Sequence, residues 1–250
     1  MDEIRIHKWF SQIGIASRRE AEAWLRAGRI SVDGKVVKEL GTRFDPETNR
    51  ISLDGRLLER KAPPKIYWLL NKPACYLTSR KGINGKDTIF DLPKLRNLSF
   101  LVYSIGRLDF FTEGLLLLSN DGEIVNRLTH PKYKVPRHYH VLVNGKLRPD
   151  ELRQIRCGIA LEDGITKETE IQFLQGKDLG KSKGALYYVT VHEGRNRLVR
   201  RLFEHFNYKV IRLVRTGFGS VKLPEDLLAG DYRQLTGEEI DGLKKSVGLH

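Results

Sequence analysis

The sequence predicts an α+β protein: a small module of two helices and short hairpins, followed by a larger domain built on a mixed, largely antiparallel sheet. Three observations carry this. In the first 60 residues a helical apolar stripe and a capping box precede two Asp-Gly turns flanked by short strand-like segments. Beyond residue 65, runs of strand length outnumber helical patterns, and their connections are irregular, which argues against a doubly wound parallel sheet. Between the two regions, Arg60-Lys-Ala-Pro-Pro-Lys65 has the composition of a semi-rigid linker. The expected division is 1–60, a linker at 61–65, and 66–250.

Ile6, Trp9, Phe10 and Ile13 fall at i, i+3, i+4 and i+7, the spacing of a helix with one buried face. Gly14 can end it in a left-handed conformation. Ser17 and Glu20 form a capping box that opens a second helix, with Ala21, Trp24 and Leu25 inward and Gly28 as its stop. Ile30 to Val37 reads as a hairpin turning at Asp33-Gly34, and Ile51 to Leu58 as another turning at Asp54-Gly55. We take the recurrence as reuse of one turn rather than as a true repeat.

In the larger region, Ile66 to Leu70, Phe100 to Ile105 and Leu115 to Leu118 are apolar runs of strand length. Thr78 to Lys86 is polar and Gly-rich, the composition of a mobile surface loop. Gly122 to Thr129 reads as a short helix stopped by Pro131, and Pro149 to Arg156 as a helix with proline in its first turn. Tyr139–Val143 alternates as a half-buried strand does. Glu170–Leu174, Leu186–His192, Lys209–Val214 and Tyr232–Leu235 are further strands. Asn196 to Phe206 carries the clearest helical stripe, and Thr236 with Glu239 caps a C-terminal helix.

The 250 residues carry a formal charge of +13, with a pI of about 9.7. Such a surplus points to a polyanion, of which RNA and DNA are the commonest; a merely basic soluble protein has the same totals. Residues 1–60 hold twelve basic and ten acidic groups, so that module is not basic as a whole. Its basic groups are concentrated on the helical pair, at Arg5, Lys8, Arg18, Arg19, Arg26 and Arg29. Cys75 and Cys157 make neither a disulfide framework nor a zinc site. His138 and His140 have no third ligand spaced to complete a metal site. No Gly-rich phosphate loop is present, so no nucleotide cofactor is expected. Met1 to Arg5 lacks the apolar core of a signal peptide, and no run reaches the roughly 18 apolar residues of a membrane span. The expectation is a cytoplasmic monomer with no membrane partner and no cofactor.

The candidate chemistry centres on Gly106-Arg-Leu-Asp-Phe-Phe-Thr-Glu-Gly-Leu-Leu-Leu-Leu-Ser-Asn-Asp-Gly-Glu123. A polar loop joined to a buried strand is how a fold holds a reactive side chain still. Loop aspartates are ordinarily turn or cap residues. Asp109, however, has Arg107 two residues before it and two aromatics after it, in a segment too polar for core. A carboxylate near arginine stays ionised, which suits a nucleophile or base. The segment His192 to Arg215 holds seven Lys and Arg against two Glu. Within it, Arg200 follows the core position Val199 and can point inward. A buried arginine needs an acidic partner, and Asp109 is the candidate. Tyr139 opens a strand; a tyrosine there more commonly packs with its hydroxyl at the surface.

Ile15-Ala-Ser-Arg-Arg-Glu-Ala-Glu22 and Gly28-Arg-Ile-Ser-Val-Asp-Gly-Lys-Val36 resemble the S4 RNA-binding domain, which lays its helix pair on structured RNA. The Asp109 stretch, Leu70-Asn-Lys-Pro73, Leu128-Thr-His-Pro131 with Tyr139, and Glu193-Gly-Arg-Asn-Arg-Leu-Val-Arg-Arg-Leu-Phe203 are similar to the ordered motifs of pseudouridine synthases, in the branch that modifies ribosomal RNA and carries an S4 domain. The resemblance implies the pseudouridine synthase fold and isomerisation of uridine within RNA, the substrate being structured ribosomal RNA or a pre-ribosomal particle, with large-subunit RNA favoured. It makes Asp109 the essential aspartate and has Tyr139 stack on the target base and help take the C5 proton. Arg200 would pair with Asp109, and Arg107 would enter the RNA stack in place of the flipped base. Arg195 and Arg197 would join the S4 helices in gripping phosphates. Glu113, Cys75, Tyr76, Arg137 and His138 depart from the usual pattern and bear on site preference. Two other classes fit parts of the chain. One is a non-catalytic S4-type RNA-binding or ribosome-assembly protein, which has no need of a buried acid. The other is a nucleosidase using Glu113 as a second carboxylate.

Overall fold

The computed structural model describes residues 3–59, 63–98, 101–180 and 183–249. The chain forms two compact units, one of 1–66 with 98–103 and 120–122, the other of 67–97, 104–119 and 123–250.

The first unit runs β1 (Ile4–Arg5), α1 (Ile6–Gln12), α2 (Arg18–Arg26), β2 (Ile30–Val32), β3 (Lys35–Val36), β4 (Arg43–Phe44), β5 (Ile51–Leu53) and β6 (Arg56–Leu57). The apolar spacing of α1 buries Ile6, Trp9 and Phe10, and Trp9 stands edge-on to both Phe10 and Phe44. The Ser17–Glu20 capping box opens α2 as expected. Asp33-Gly34 and Asp54-Gly55 all have positive φ, as a two-residue hairpin turn requires. β2 and β5 pair antiparallel, so the two hairpins merge into one sheet ordered β3-β2-β5-β6. Residues 60–62 of the expected linker lie outside the described residues. The rest is tied down: Asn120 Nδ2 donates to Pro64 O and its Oδ1 accepts from Ile66 N, both at 2.8 Å, while Lys65 pairs with Asp121.

From the boundary onward come β7 (Tyr67–Lys72), β8 (Tyr103–Ser104), β9 (Glu113–Ser119), α3 (Gly122–Thr129), β10 (Arg137–Val143), α4 (Pro149–Cys157), β11 (Ala160–Leu161), β12 (Gly164–Ile165), β13 (Glu170–Asp178), β14 (Lys183–Val191), α5 (Leu198–Glu204), β15 (Val210–Phe218), β16 (Val221–Lys222), β17 (Tyr232–Gln234) and α6 (Gly237–Ser246). The main sheet runs β13-β14-β10-β15-β9-β7-β17. Of these neighbours β15 and β9 are parallel and the rest antiparallel, giving the mixed, largely antiparallel sheet of the α+β class. Leu69, Leu115 and Leu117 pack with Ile124 and Leu128 of α3 and Leu243 of α6. Tyr187 meets Phe203 of α5, ring centroids 5.6 Å apart.

Three expectations are corrected. The helix read over Asn196–Phe206 is only Leu198–Glu204, because Arg197 takes a left-handed φ of 49° that no helix interior accepts. In the run Phe100–Ile105, Phe100 lies outside the described residues and only Tyr103–Ser104 is strand. The strands at 170, 186 and 209 extend beyond their apolar runs, since pairing with neighbours continues where the side chains turn polar. Thr78 to Lys86 holds no named strand, only a bridge between Ile83 and Lys86.

Candidate active site

Asp109 sits on the loop that enters β9, and the main chain of that loop is held residue by residue. Thr78 Oγ1 donates to Leu108 O (2.8 Å), Thr112 N to Asp109 O (3.0 Å), Cys75 N to Phe110 O (2.8 Å), Arg200 Nη2 to Phe111 O (3.3 Å) and Lys72 Nζ to Thr112 O (2.9 Å). Five successive carbonyls thus each have a donor, which leaves none of these main-chain oxygens unpaired to drive the loop elsewhere. The second residue of β9 is Gly114, whose φ is +98°; a Cβ there would run into Arg215 O. Only glycine lets β9 come this close to β15.

Lys72 is the anchor of this arrangement. Its side chain is fully buried, and its ammonium also donates to Pro73 O (2.9 Å) and Phe110 O (3.4 Å). Burial pulls its pKa down to about 8, opposed by the charges of Cys75, Asp109 and Glu113. At neutral pH it remains mainly an ammonium, with one hydrogen for each of three carbonyls.

The Asp109 carboxylate forms no ion pair among the described residues, although Arg200 was expected as its partner. Arg200 is buried as anticipated, at 8 % exposure, but its guanidinium is spent on main-chain oxygens of Phe111 and of Val210 (3.4 Å). α5 packs behind the loop, so the side chain meets the loop's backbone before it meets the carboxylate. Burial lowers the Arg200 pKa, Arg197 lowers it further, and the Asp109 charge opposes both, so the acid lies within electrostatic reach without direct pairing.

Asp109 faces a cleft of about 280 Å³ whose lining includes Arg107, Arg137, Tyr139, Gly194 and Arg215. Arg107 is exposed at its mouth. Tyr139 is 8 % exposed, so its ring is buried rather than turned to the surface. Its position depends on a β-bulge. The register of β10 against β15 shifts between His138 and Tyr139, so that His138 opposes Gly217 while Tyr139 opposes Arg215. Bulges re-aim side chains, and this one places Tyr139 and Arg215 side by side. His138 and His140 face the other side of the sheet. There His138 bonds Thr190 at 3.0 Å and stacks on Tyr188.

The other proposed basic contacts separate into two groups. Arg5, Lys8, Arg18, Arg19 and Arg26 are exposed and form no ion pair among the described residues. Arg29, Arg195 and Arg197, named with them as RNA contacts, each hold a carboxylate of the chain. Arg29 is bidentate to Asp54 and lies over Trp24; Arg197 pairs with Glu204. Arg195 gives Nε to Asp163 (2.9 Å) and its terminal nitrogens to Asp163, Gly164 O and Ile165 O. Arg201 grips the same Asp163 carboxylate, which the two guanidiniums hold far below the usual carboxylate range. Glu113, considered as a second acid, is bidentate to Arg212 at 2.8–2.9 Å. A carboxylate so bound suits a strut better than a proton donor.

Sequence reasoning gave no role to Lys72, Arg215 or Asp163, and took Arg137 only as a departure bearing on site preference. Lys72 ends an otherwise apolar strand, and Arg215 stands two residues after Leu213 on the same face, so strand periodicity could have marked both as inward. Nothing local singles out Asp163.

Residues 66–205 match the RNA pseudouridylate synthase family and residues 4–49 the S4 domain. An uncharacterised RNA pseudouridine synthase from Aquifex aeolicus is 42% identical over 250 residues, covering 100% of this chain and 97% of that one. A ribosomal large subunit pseudouridine synthase B from Bacillus subtilis is 39% identical, covering 96% and 95%. The enzyme of that name from Pseudomonas aeruginosa is 40% identical over 98% of this chain but is longer, this chain spanning 63% of it. The crystal structure of a pseudouridylate synthase superposes with a TM-score of 0.63 at 29% identity, covering 96% of this chain and 99% of that one. Among the described residues no helix is long and apolar enough to cross a membrane. The aspartate loop, the tyrosine beside its cleft and the S4 module in front are thus parts of one enzyme, and the chain belongs to the RNA pseudouridylate synthases, isomerases that turn uridine in RNA into pseudouridine.

Proposed function

We propose that the substrate is a uridine of ribosomal RNA, in the large subunit, presented as structured RNA or within a pre-ribosomal particle, and that the chain acts as a cytoplasmic monomer. Asp109 is the essential carboxylate. The observation that carries this is its setting: an acid without an ion pair, facing a cleft, on a loop whose five consecutive carbonyls are fixed. Fixed geometry is what converts a reactive group into a catalyst.

The target uridine leaves its stack, at a cost of a few kcal/mol, to enter the cleft. Phosphate contacts by Arg5, Lys8, Arg18, Arg19 and Arg26 offset that cost. Arg107, at the mouth, is placed to fill the gap left in the RNA. Tyr139 stacks on the base and helps take the C5 proton. Arg200 supports the loop through Phe111 O and acts on Asp109 through its field. The N1–C1′ bond breaks, the uracil turns, and C5 bonds to C1′. Asp109 attacks C1′, attacks C6 of the uracil, or takes a proton from the ribose. No atoms are gained or lost, so the chemistry calls for no cofactor.

Asp109→Asn tests the centre of this reading. It should abolish tritium release from C5-labelled uridine in RNA while RNA affinity stays within about three-fold. Full activity in that variant sinks the assignment. Mapping pseudouridines in ribosomal RNA from cells with and without the protein tests the substrate, and loss of a small-subunit site alone would refute the large-subunit assignment.

A further inference from the structure

Arg215 is the largest fully buried side chain, 1 % exposed, and it forms no ion pair among the described residues. Its Nε donates to Leu115 O at 2.7 Å, while its Nη2 is buried without a hydrogen-bond partner. Arg137 is in a similar position. It donates to Val135 O at 3.0 Å and likewise has no ion pair among the described residues. Both guanidiniums lie 5.3 Å from the centre of the same Phe218 ring. The strand register explains the convergence, since Arg137 opposes Phe218 and Tyr139 opposes Arg215. Burial lowers the pKa of both arginines and Arg215 lowers that of Arg137 further, while the neighbouring Tyr139 oxygen is the group that supports each charge. Two like charges are therefore held close together beneath a cleft, softened by one aromatic face and one phenol.

Buried charges are ordinarily paired, and an unpaired one is costly. Here no counter-anion is supplied among the described residues, and both arginines line the cleft that contains Asp109. We propose that Arg215 and Arg137 form a cationic hole for the negative charge that the uracil ring acquires during isomerisation, with Arg215 a catalytic residue. This rests on the isomerase reading above but not on a choice among its routes. Attack at C1′, or removal of a ribose proton, expels uracil with the N1–C1′ electron pair, leaving an anion shared by the ring nitrogens and O2 and O4. Attack at C6 pushes the C5–C6 pair towards C5 and O4. On the first route C5 displaces the Asp109 oxygen from C1′; on the ribose-deprotonation route C5 bonds to C1′ as the ribose carbon regains its proton; on the C6 route N1–C1′ breaks as C5–C1′ forms, and the Asp109–C6 bond then cleaves. In each case the C5 hydrogen leaves as a proton and N1 gains one, so the composition is unchanged. Donors set in advance in a dry site stabilise such transient charge far better than water-exposed ones. A backbone phosphate fits the hole less well, because Arg215 is only 1 % exposed and a phosphate stays with the solvated strand.

The test separates rate from binding. Under single-turnover conditions with saturating enzyme, Arg215→Met should release tritium from C5-labelled RNA about 10²–10³ times more slowly, the loss typical of removing one such donor. RNA affinity should remain within about three-fold, and Arg215→Lys should regain part of the rate. Arg137→Met, at a more accessible position that is safer for folding, should lose about ten-fold in the same step. A wild-type rate in folded Arg137→Met and Arg215→Met overturns the proposal. So does a loss confined to RNA affinity, which would make the pair a phosphate grip. Absence of tritium release in the unaltered protein would instead defeat the isomerase reading itself.

Discussion

Two pairs of arginines, three of the four lining the Asp109 cleft, are balanced in opposite ways. Arg195 and Arg201, near the surface, share the Asp163 carboxylate through four hydrogen bonds. Arg137 and Arg215, inside, have an aromatic face and a tyrosine oxygen but no ion pair among the described residues. Solvent would have tolerated the first pair without an acid, and the interior penalises the second for lacking one. The difference separates structure from function. Where a carboxylate is supplied, the charge is used to fasten the β11–β12 hairpin to the loop before α5. Where it is withheld, the charge remains available to whatever enters the cleft. Lys72 stands between these cases, a buried cation satisfied by neutral carbonyls and so devoted to holding the Asp109 loop.

Experiments that alter one pair and spare the other sharpen this contrast. After Asp109→Asn and Arg215→Met, the largest effect is expected at Lys72. Replacing it by methionine takes the donor from Pro73 O and Thr112 O, while Phe110 O keeps Cys75 N, at a cost of about 1–3 kcal/mol for each buried group that finds no substitute. It should lower kcat about 100-fold by releasing the loop. Titration of the unaltered enzyme gives a second signature. Above pH 8 the Lys72 amine is neutral and can no longer serve three acceptors, so kcat should fall along an alkaline limb with an apparent pKa of about 8. Stability should move the other way. The folded pKa lies below the unfolded value of 10.5, so the unfolded chain binds more protons between the two, and this group's contribution rises with pH across that window. A Lys72→Met enzyme that keeps the alkaline limb would show that another group causes it.

Asp163→Ala should be milder. Freed of their acid, Arg195 and Arg201 should bind RNA less selectively and with a salt slope steeper by about one to two phosphates, while kcat falls only several-fold. Because the folded Asp163 pKa is depressed, its contribution to stability is complete above the unfolded carboxylate value of about 4 and disappears as the pH falls below it. Unchanged salt dependence would mean that these arginines stay sequestered without it. The smallest effect is expected in the S4 module. Arg18→Gln with Arg19→Gln should weaken RNA binding evenly across sequences and flatten the salt slope by about two, leaving the single-turnover rate at saturation intact. A loss of that rate would give these groups a part in the chemistry.

Much of the architecture was legible in the chain because it rests on local rules. The Ser17–Glu20 and Thr236–Glu239 boxes, the Asp-Gly turns and the Leu115–Leu118 run each specify their element through neighbours a few residues away. Asp109 was legible too, as a polar loop residue fastened to that run. The boundaries that failed were set by partners distant in sequence: β13, β14 and β15 lengthen because of ladder pairing, and α5 shortens because Arg197 turns left-handed at its start.

Charge was the least legible property. The sequence alone determined how many basic groups there are, that they cluster after His192 and on the first two helices, and that an aspartate stands on a rigid loop. Only the tertiary structure decided which charges are spent. It gave Arg29 to Asp54, Arg195 and Arg201 to Asp163, and Arg212 to Glu113, turned Arg200 towards backbone carbonyls, and left Arg137 and Arg215 facing the cleft. The reason is physical. Helix caps and turns are satisfied within a few residues, whereas an ion pair or its absence depends on side chains that the fold brings together from as much as a hundred residues apart.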